Sequence, residues 1–168
     1  MELEEAIKKR TATRKFDKRQ IEKEKLDRIL NIARLAPSAK NIQPIKIYVV
    51  QSENGINKID KTTKCRYGAP TVLIICGDKE EAYHKDNYST YEMDCSILAT
   101  HIMLESANID VDSIWIESFD QKMIKKEFEI EDKYTPVCLI PLGYKAKDCP
   151  VNPMHTKRKT ISELVEYK

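Results

Sequence analysis

At 168 residues, 41% apolar and 33% charged, the chain is long enough to bury a core without disulfide or metal staples and too evenly composed for a disordered or fibrous protein. A formal charge of only +2 excludes a uniformly basic nucleic-acid binder, leaving two local basic runs, Lys8 to Arg19 and His155 to Lys159. No apolar stretch approaches membrane-spanning length, the opening residues lack the apolar run of a signal peptide, and the five cysteines show no zinc-site pairing and read as reduced thiols, so a cytoplasmic protein of one domain over residues 1–168 is expected.

Residues 3 to 9 read as a short helix. In the Arg10 to Phe16 segment that follows, β-branched threonines favour an extended backbone that would spread Arg10 and Arg14 along one ligand, and guanidinium forks match phosphate geometry. The octapeptide Lys9 to Phe16 also reads as a solvated charge run with Phe16 in the core. Between Glu22 and Ala36, Leu26, Ile29, Leu30 and Ala33 recur at helical spacing. This helix delivers the chain to Leu35–Pro44, where Pro37 ends the helical pattern and Pro44 restricts Gln43 to an extended shape. Ser38, Asn41 and Gln43 can both donate and accept hydrogen bonds, which suits a flat heteroaromatic ligand, and a stiff loop loses little entropy on binding. A plain helix stop, turn and strand start accounts for the same residues without a ligand.

Ile45 to Val50 should be a strand and residues 53 to 62 a helix. The unbroken apolar run Thr71 to Gly77 implies a central strand buried on both faces. Residues 78 to 90, polar and tyrosine-bearing, read as a loop or short helix with no assigned chemistry. The helix from Glu92 to Asn108 is apolar around most of its circumference, through Ile97, Leu98, Ile102, Met103, Leu104 and Ala107, which suggests burial and packing against a second copy. Cys95 and His101, six residues apart on it, face different ways and form no nucleophile pair. Val111 to Phe119, holding the single tryptophan, reads as a strand. Asp120 reads as the cap of a helix through Phe128. Thr135 to Tyr144 is an apolar strand in which Pro141 argues for an edge or bulged position. Thr160 to Glu163 fits a capping box for a last helix through Glu166, just after Arg158. Helices and strands intersperse without strict βαβ alternation, so the expected class is α+β, a mixed and mainly antiparallel sheet flanked by helices.

In chain order these segments resemble the nitroreductase family of FMN-dependent NAD(P)H oxidoreductases. Arg10 to Phe16 is similar to its Arg-x-Ser-x-Arg/Lys-x-Phe element, and Ala36 to Pro44 matches Ala-Pro-Ser-x-x-Asn-x-Gln-Pro. Asp94 with the long helix, Ile114 to Asp120, Leu142-Gly143-Tyr144, and Arg158-Lys159 before Ile161–Val165 follow in the family's order. The resemblance implies a nitroreductase-like fold and a homodimer with tightly bound FMN at its interface, an extended C-terminal segment contributing to the dimer. It implies a phosphate held by Arg10 and Arg158 beside Thr11 and Ala12, with Arg14 near the phosphate or the pyrimidine edge. Pro37, Ser38, Ala39 and Asn41 would reach the flavin bound mainly by the other subunit. Trp115, Ile116, Glu117 and Ser118 would pass beside the ring, the Glu117 N–H donating to flavin N5. The implied activity is ping-pong hydride transfer from NAD(P)H through that N5 to a small-molecule acceptor such as a nitroaromatic, a quinone or another flavin, with no catalytic side chain and no metal. Ala12 stands where the family usually has a serine, leaving Thr11 or Thr13 to substitute, and Asp110 and Asp112 stand where many members have glycines. A flavin-binding sensor or carrier without turnover, and a nucleic-acid-binding module using the two basic runs, are the alternatives.

Overall fold

A computed structural model of the chain describes residues 2–168. Its centre is a four-stranded sheet in the order β1-β2-β6-β5, formed by β1 (Ile45–Val50), β2 (Thr71–Asp78), β5 (Asp112–Ser113) and β6 (Tyr134–Gly143), all paired antiparallel. A second pair, β3 (His84–Lys85) and β4 (Tyr88–Ser89), makes a small hairpin. The helices are α1 (Leu3–Lys9), α2 (Lys23–Ala33), α3 (Glu53–Thr62), α4 (Tyr91–Asn108), α5 (Gln121–Glu127) and α6 (Ile161–Leu164). Among the described residues no helix is long and apolar enough to cross a membrane.

Every residue of β2 is buried, because successive side chains of a strand point to opposite faces and both faces are covered. Leu73 and Ile75 join one core with Ile29 and Ala33 of α2 and with Leu98, Ala99 and Ile102 of α4. Val72, Ile74 and Cys76 join the other, with Ile59 of α3, Ile124 of α5 and Phe16. Burial pushes the Cys76 thiol up to about 12, and all five cysteines are free. Asp120 caps α5 by accepting from the Met123 N–H at 2.9 Å.

Several expectations are corrected. Pro141 is not on an edge: β6 lies inside the sheet, and Pro141 pairs with Val72 of β2. The Pro141 carbonyl accepts from the Ile114 N–H at 3.3 Å. A residue's N and O point to the same neighbour, so the missing donor faces β5, whose ladder lasts two residues and needs little from it. The register shift lies elsewhere, at Ile75/Cys76 opposite Pro136. Val111–Phe119 is a strand only at Asp112–Ser113, with an isolated bridge from Ile116 to Leu139. The segment 78–90 contains the β3–β4 hairpin, turned by Asp86 at φ 55°. On α4, Met93 and Ile97 remain exposed, so burial inside one chain is not complete around the helix. The last helix stops at Leu164, its capping box intact but Ile161, Leu164 and Tyr167 in solvent, Tyr167 at 91% exposure.

Candidate functional site

Arg10 is the C-cap of α1, its N–H returning to the Ala6 carbonyl. The chain then leaves helical geometry because residues 12 to 16 find strand-like partners: Ala12 bridges Ser113 in parallel, the Thr13 N–H donates to the Ser113 carbonyl at 3.2 Å, and the Phe16 N–H donates to the Tyr67 carbonyl at 3.0 Å. Buried Thr13 donates its hydroxyl to Asp112 Oδ1 at 3.3 Å, and Asp112 Oδ2 accepts the Lys145 N–H at 2.8 Å. Asp112 is thus a brace for the Arg10 segment. Asp110 takes up a φ of 59°, the region a glycine would enter freely and an aspartate tolerates, and pairs with Lys9. Asp110 thus keeps a backbone path that a glycine would allow, while Asp112 acts through its side chain.

From the far end of the chain, Pro153–His155 forms a short turn capped by Asn152, and His155 Nε2 lies 3.2 Å from the Lys8 carbonyl. This contact carries Arg158 to α1. Arg10, Thr11, Arg14, Lys145, His155 and Arg158 line a cavity of about 190 Å³ that also touches Ala12. No carboxylate is in its lining. Burial, then the nearby Arg158 charge, lower the pKa of Arg10. Two guanidiniums held this close without a counter-ion make an anion cradle. With the Thr13 hydroxyl engaged by Asp112, the Thr11 hydroxyl is the one left free to face an anion there. Lys145 and His155 escaped the sequence reading; His155 opens the basic run that suggested a nucleic-acid patch.

Pro37, Ser38, Ala39 and Asn41 are not part of this cavity. Their loop sits on the N-terminal end of α4, where buried Asp94 accepts the Ala39 N–H at 3.0 Å and the Thr90 hydroxyl at 2.9 Å. Ser38 spends its hydroxyl on the Gln43 N–H at 2.8 Å. Gln43 is not extended: its φ is 58°, with its Nε2 donating to the Asn41 carbonyl at 3.1 Å. The Asn41 side chain is exposed, with no hydrogen bond among the described residues. The cradle lies by the other end of α4, where Asp110 and Asp112 follow, so the loop and the cradle sit at opposite ends of a helix of 18 residues, about 27 Å long. Trp115, Ile116, Glu117 and Ser118 run along β6 from the cradle side: Ile116 is buried on Leu139, and the Trp115 indole donates to Glu117 Oε1 at 2.9 Å. That bond occupies the Glu117 carboxylate, while its N–H has no partner among the described residues.

The basic run Lys8 to Arg19 is largely neutralised, Lys8, Lys9, Lys15 and Arg19 pairing with Glu4, Asp110, Asp148 and Glu22. Among the described residues, the cations of this run left without an ion pair are Lys18 and, in the cavity, Arg10 and Arg14.

A helix-flanked antiparallel sheet with a cationic cavity at its chain ends defines an α+β protein equipped for an anionic ligand. The Nitroreductase family model matches residues 7–67 and 64–144, and the chain belongs to that family. It superposes on a nitroreductase family protein of Clostridium difficile 630 with a TM-score of 0.93 at 34% identity, covering 100% of this chain and 99% of that one. An FMN-dependent nitroreductase of Clostridium difficile R20291 aligns at 29% identity and a TM-score of 0.78, with 97% of each chain covered. A relative from Methanothermobacter thermautotrophicus, provisionally named NADH dehydrogenase/NAD(P)H nitroreductase, is 29% identical over 157 residues, 88% of this chain and 80% of its own length.

Proposed function

We propose that the chain is an FMN-dependent NAD(P)H oxidoreductase acting as a homodimer, each flavin held between two chains. The observation that carries this reading is the convergence of Arg10 and Arg158 on one cavity without a carboxylate. The donor set fits the group: two guanidinium forks and the Thr11 hydroxyl suit a terminal phosphate. Arg14 and Lys145 add positive charge on the same side, which favours a ring system that gains negative charge on reduction. Glu117 presents its main-chain N–H because its carboxylate is tied to Trp115, so Trp115–Ser118 orients the reactive edge of the ring. When bound, FMN supplies the two-electron chemistry that carries hydride from NAD(P)H to an oxidised acceptor such as a nitroaromatic, a quinone or another flavin. The protein's part is binding, orientation and countercharge, and no side-chain nucleophile is required. The names of the Clostridium difficile R20291 and Methanothermobacter proteins support FMN and NAD(P)H respectively.

Two observations favour a shared site. A cavity of about 190 Å³ is smaller than the roughly 300–1,000 Å³ typical of small-molecule sites, so it houses the phosphate end and little more. The Pro37–Asn41 loop lies too far along α4 to close over it and is free to close over a partner's flavin. Exposed Met93 and Ile97 on α4 supply an apolar stripe for the second chain. Among the described residues the outer edge of β1 is unpaired, and the C-terminal segment is solvent-facing with Val165 in extended geometry, which suits addition of one chain's tail to its partner's sheet.

The test is the anaerobic spectrum of purified protein supplied with FMN. A yellow protein with one FMN per chain, bleached by NADH or NADPH and recoloured by a quinone or nitroaromatic, is expected. Colourless protein that takes up no FMN would overturn the reading, and bound FMN that neither nicotinamide reduces would leave a carrier without turnover.

A further inference from the structure

Of seven non-glycine residues at positive φ among those described, three fall in one stretch: Lys40 at 51°, Asn41 at 56° and Gln43 at 58°. Asparagine tolerates this region; lysine and glutamine gain nothing there, and each such residue costs about 1–2 kcal/mol. A loop held in that shape needs neighbours that over-determine it, and such strain gathers where geometry matters for binding or catalysis. The chief restraint comes from Asp94, in the first turn of α4 and only 3% exposed. Both its oxygens are spent: Oδ1 accepts the Ala39 N–H at 3.0 Å, and Oδ2 accepts the Thr90 hydroxyl at 2.9 Å. The Ser38 hydroxyl closes the loop on the Gln43 N–H, and Lys40 rests its ammonium 4.4 Å from the centre of the Tyr83 ring. Asp94 makes no ion pair among the described residues. It is a buried acid that the proposed chemistry does not use, tied to the loop on one side and to Thr90 on the other.

We propose that Asp94 is a positioning residue that holds the strained Ala39–Gln43 loop in the shape that presents Asn41 to the flavin of the partner chain. This rests on the shared-site reading above and adds to it the residue that sets the loop. Asp94 touches no ligand. Its effect therefore falls on the partner's site and not on the cradle of its own chain, a pattern that a purely structural role in one chain does not produce. Asparagine at 94 can still accept the Ala39 N–H and can donate to Thr90, whose hydroxyl turns to accept, so Asp94→Asn should bind FMN like the wild type. Asp94→Ala frees the loop and should weaken FMN binding in the homodimer by about two- to tenfold, the loss of the Asn41 hydrogen bond, and wild-type affinity in that homodimer would overturn the role.

The decisive experiment uses mixed dimers in which one chain carries Asp94→Ala and the other Arg10→Ala, with FMN per dimer measured by fluorescence titration. Both lesions then fall on one site, and the expected result is one FMN per dimer at wild-type affinity. A dimer of Asn41→Ala with Arg10→Ala is the control. If the control keeps one intact site and the Asp94→Ala dimer keeps none, the positioning role is overturned while the shared site stands. If neither keeps one, the shared site itself falls and the proposal with it. Should Asp94→Ala fail to fold, Ala39→Pro removes the same donor at the start of the turn, where proline's φ is accepted and the extended Ser38 before it is compatible. The same single intact site is expected from it, and none would again overturn the role.

Discussion

Arg10 and Arg158 face a cavity that gives them no carboxylate, so neither contributes an ion pair to the fold, and removing either relieves a like-charge contact. Arg10→Ala and Arg158→Ala should each weaken FMN binding by about 10- to 150-fold, the equivalent of about 1.5–3 kcal/mol for a hydrogen bond to a charged group, while leaving the thermal unfolding of the apoprotein unchanged. Flavin fluorescence titration checks the first part and calorimetry the second; unchanged affinity would remove the phosphate assignment. Asp110 offers a different test. At φ 59° it occupies a glycine-like conformation, so Asp110→Ala should cost about 1 kcal/mol and Asp110→Gly close to nothing, since the lost Lys9 pair is exposed. Equal destabilisation of the two variants in urea would show that the backbone conformation is not what Asp110 serves. The cradle was partly legible because Arg10 and Arg14 announce themselves by charge and spacing. His155 and Lys145 were not, since only tertiary contact of the chain's end with α1 and of β6's end with Ser113's neighbourhood brings them to the cavity.

Three elements were legible to the residue: α1, β1 and α3 cover residues 3–9, 45–50 and 53–62 as expected, and β1 and α3 bury Val50 and Ile59 in one core. Segments whose shape depends on a neighbour were not. Pro141 reads as an edge signal, yet it sits inside the sheet because β5 asks so little of that side. Gln43 reads as extended before Pro44, yet it turns left-handed in a loop tied to Asp94, 55 residues beyond Ala39, a partner that local sequence does not reveal. The join between β6 and α2 gives a testable element-scale contact. The Tyr144 hydroxyl donates to Glu22, with the Arg19 guanidinium 4.3 Å from the Tyr144 ring centre. The Tyr144 bond, ahead of Glu22's own main chain and Arg19, lowers the Glu22 carboxyl to about 2 from 4.5. A depressed folded pKa stabilises the fold above the unfolded value and ceases to do so as pH falls through the folded one. The destabilisation caused by Tyr144→Phe should therefore be fully present above about pH 4.5 and shrink toward pH 2. Denaturant melts of both proteins across that range check it, and a pH-independent difference would contradict the contact.

For the molecule as a whole, the apolar residues that one chain leaves exposed include Met93 and Ile97 on α4, and Ile161, Leu164 and Val165 at the C-terminus. Deleting residues 161–168 should leave the far-ultraviolet spectrum of the remaining chain intact, since the described residues show no core contact from this segment, and should weaken or abolish the dimer in sedimentation. A stable dimer after deletion would place the association on α4 alone. The central claim is that each flavin site is built from two chains, the cradle from one and the Asn41 loop from the other. The most direct measurement is FMN stoichiometry in purified mixed dimers of Arg10→Ala and Asn41→Ala chains. One FMN per dimer at wild-type affinity is predicted, because both lesions meet at a single site; two equally impaired sites would contradict the shared arrangement.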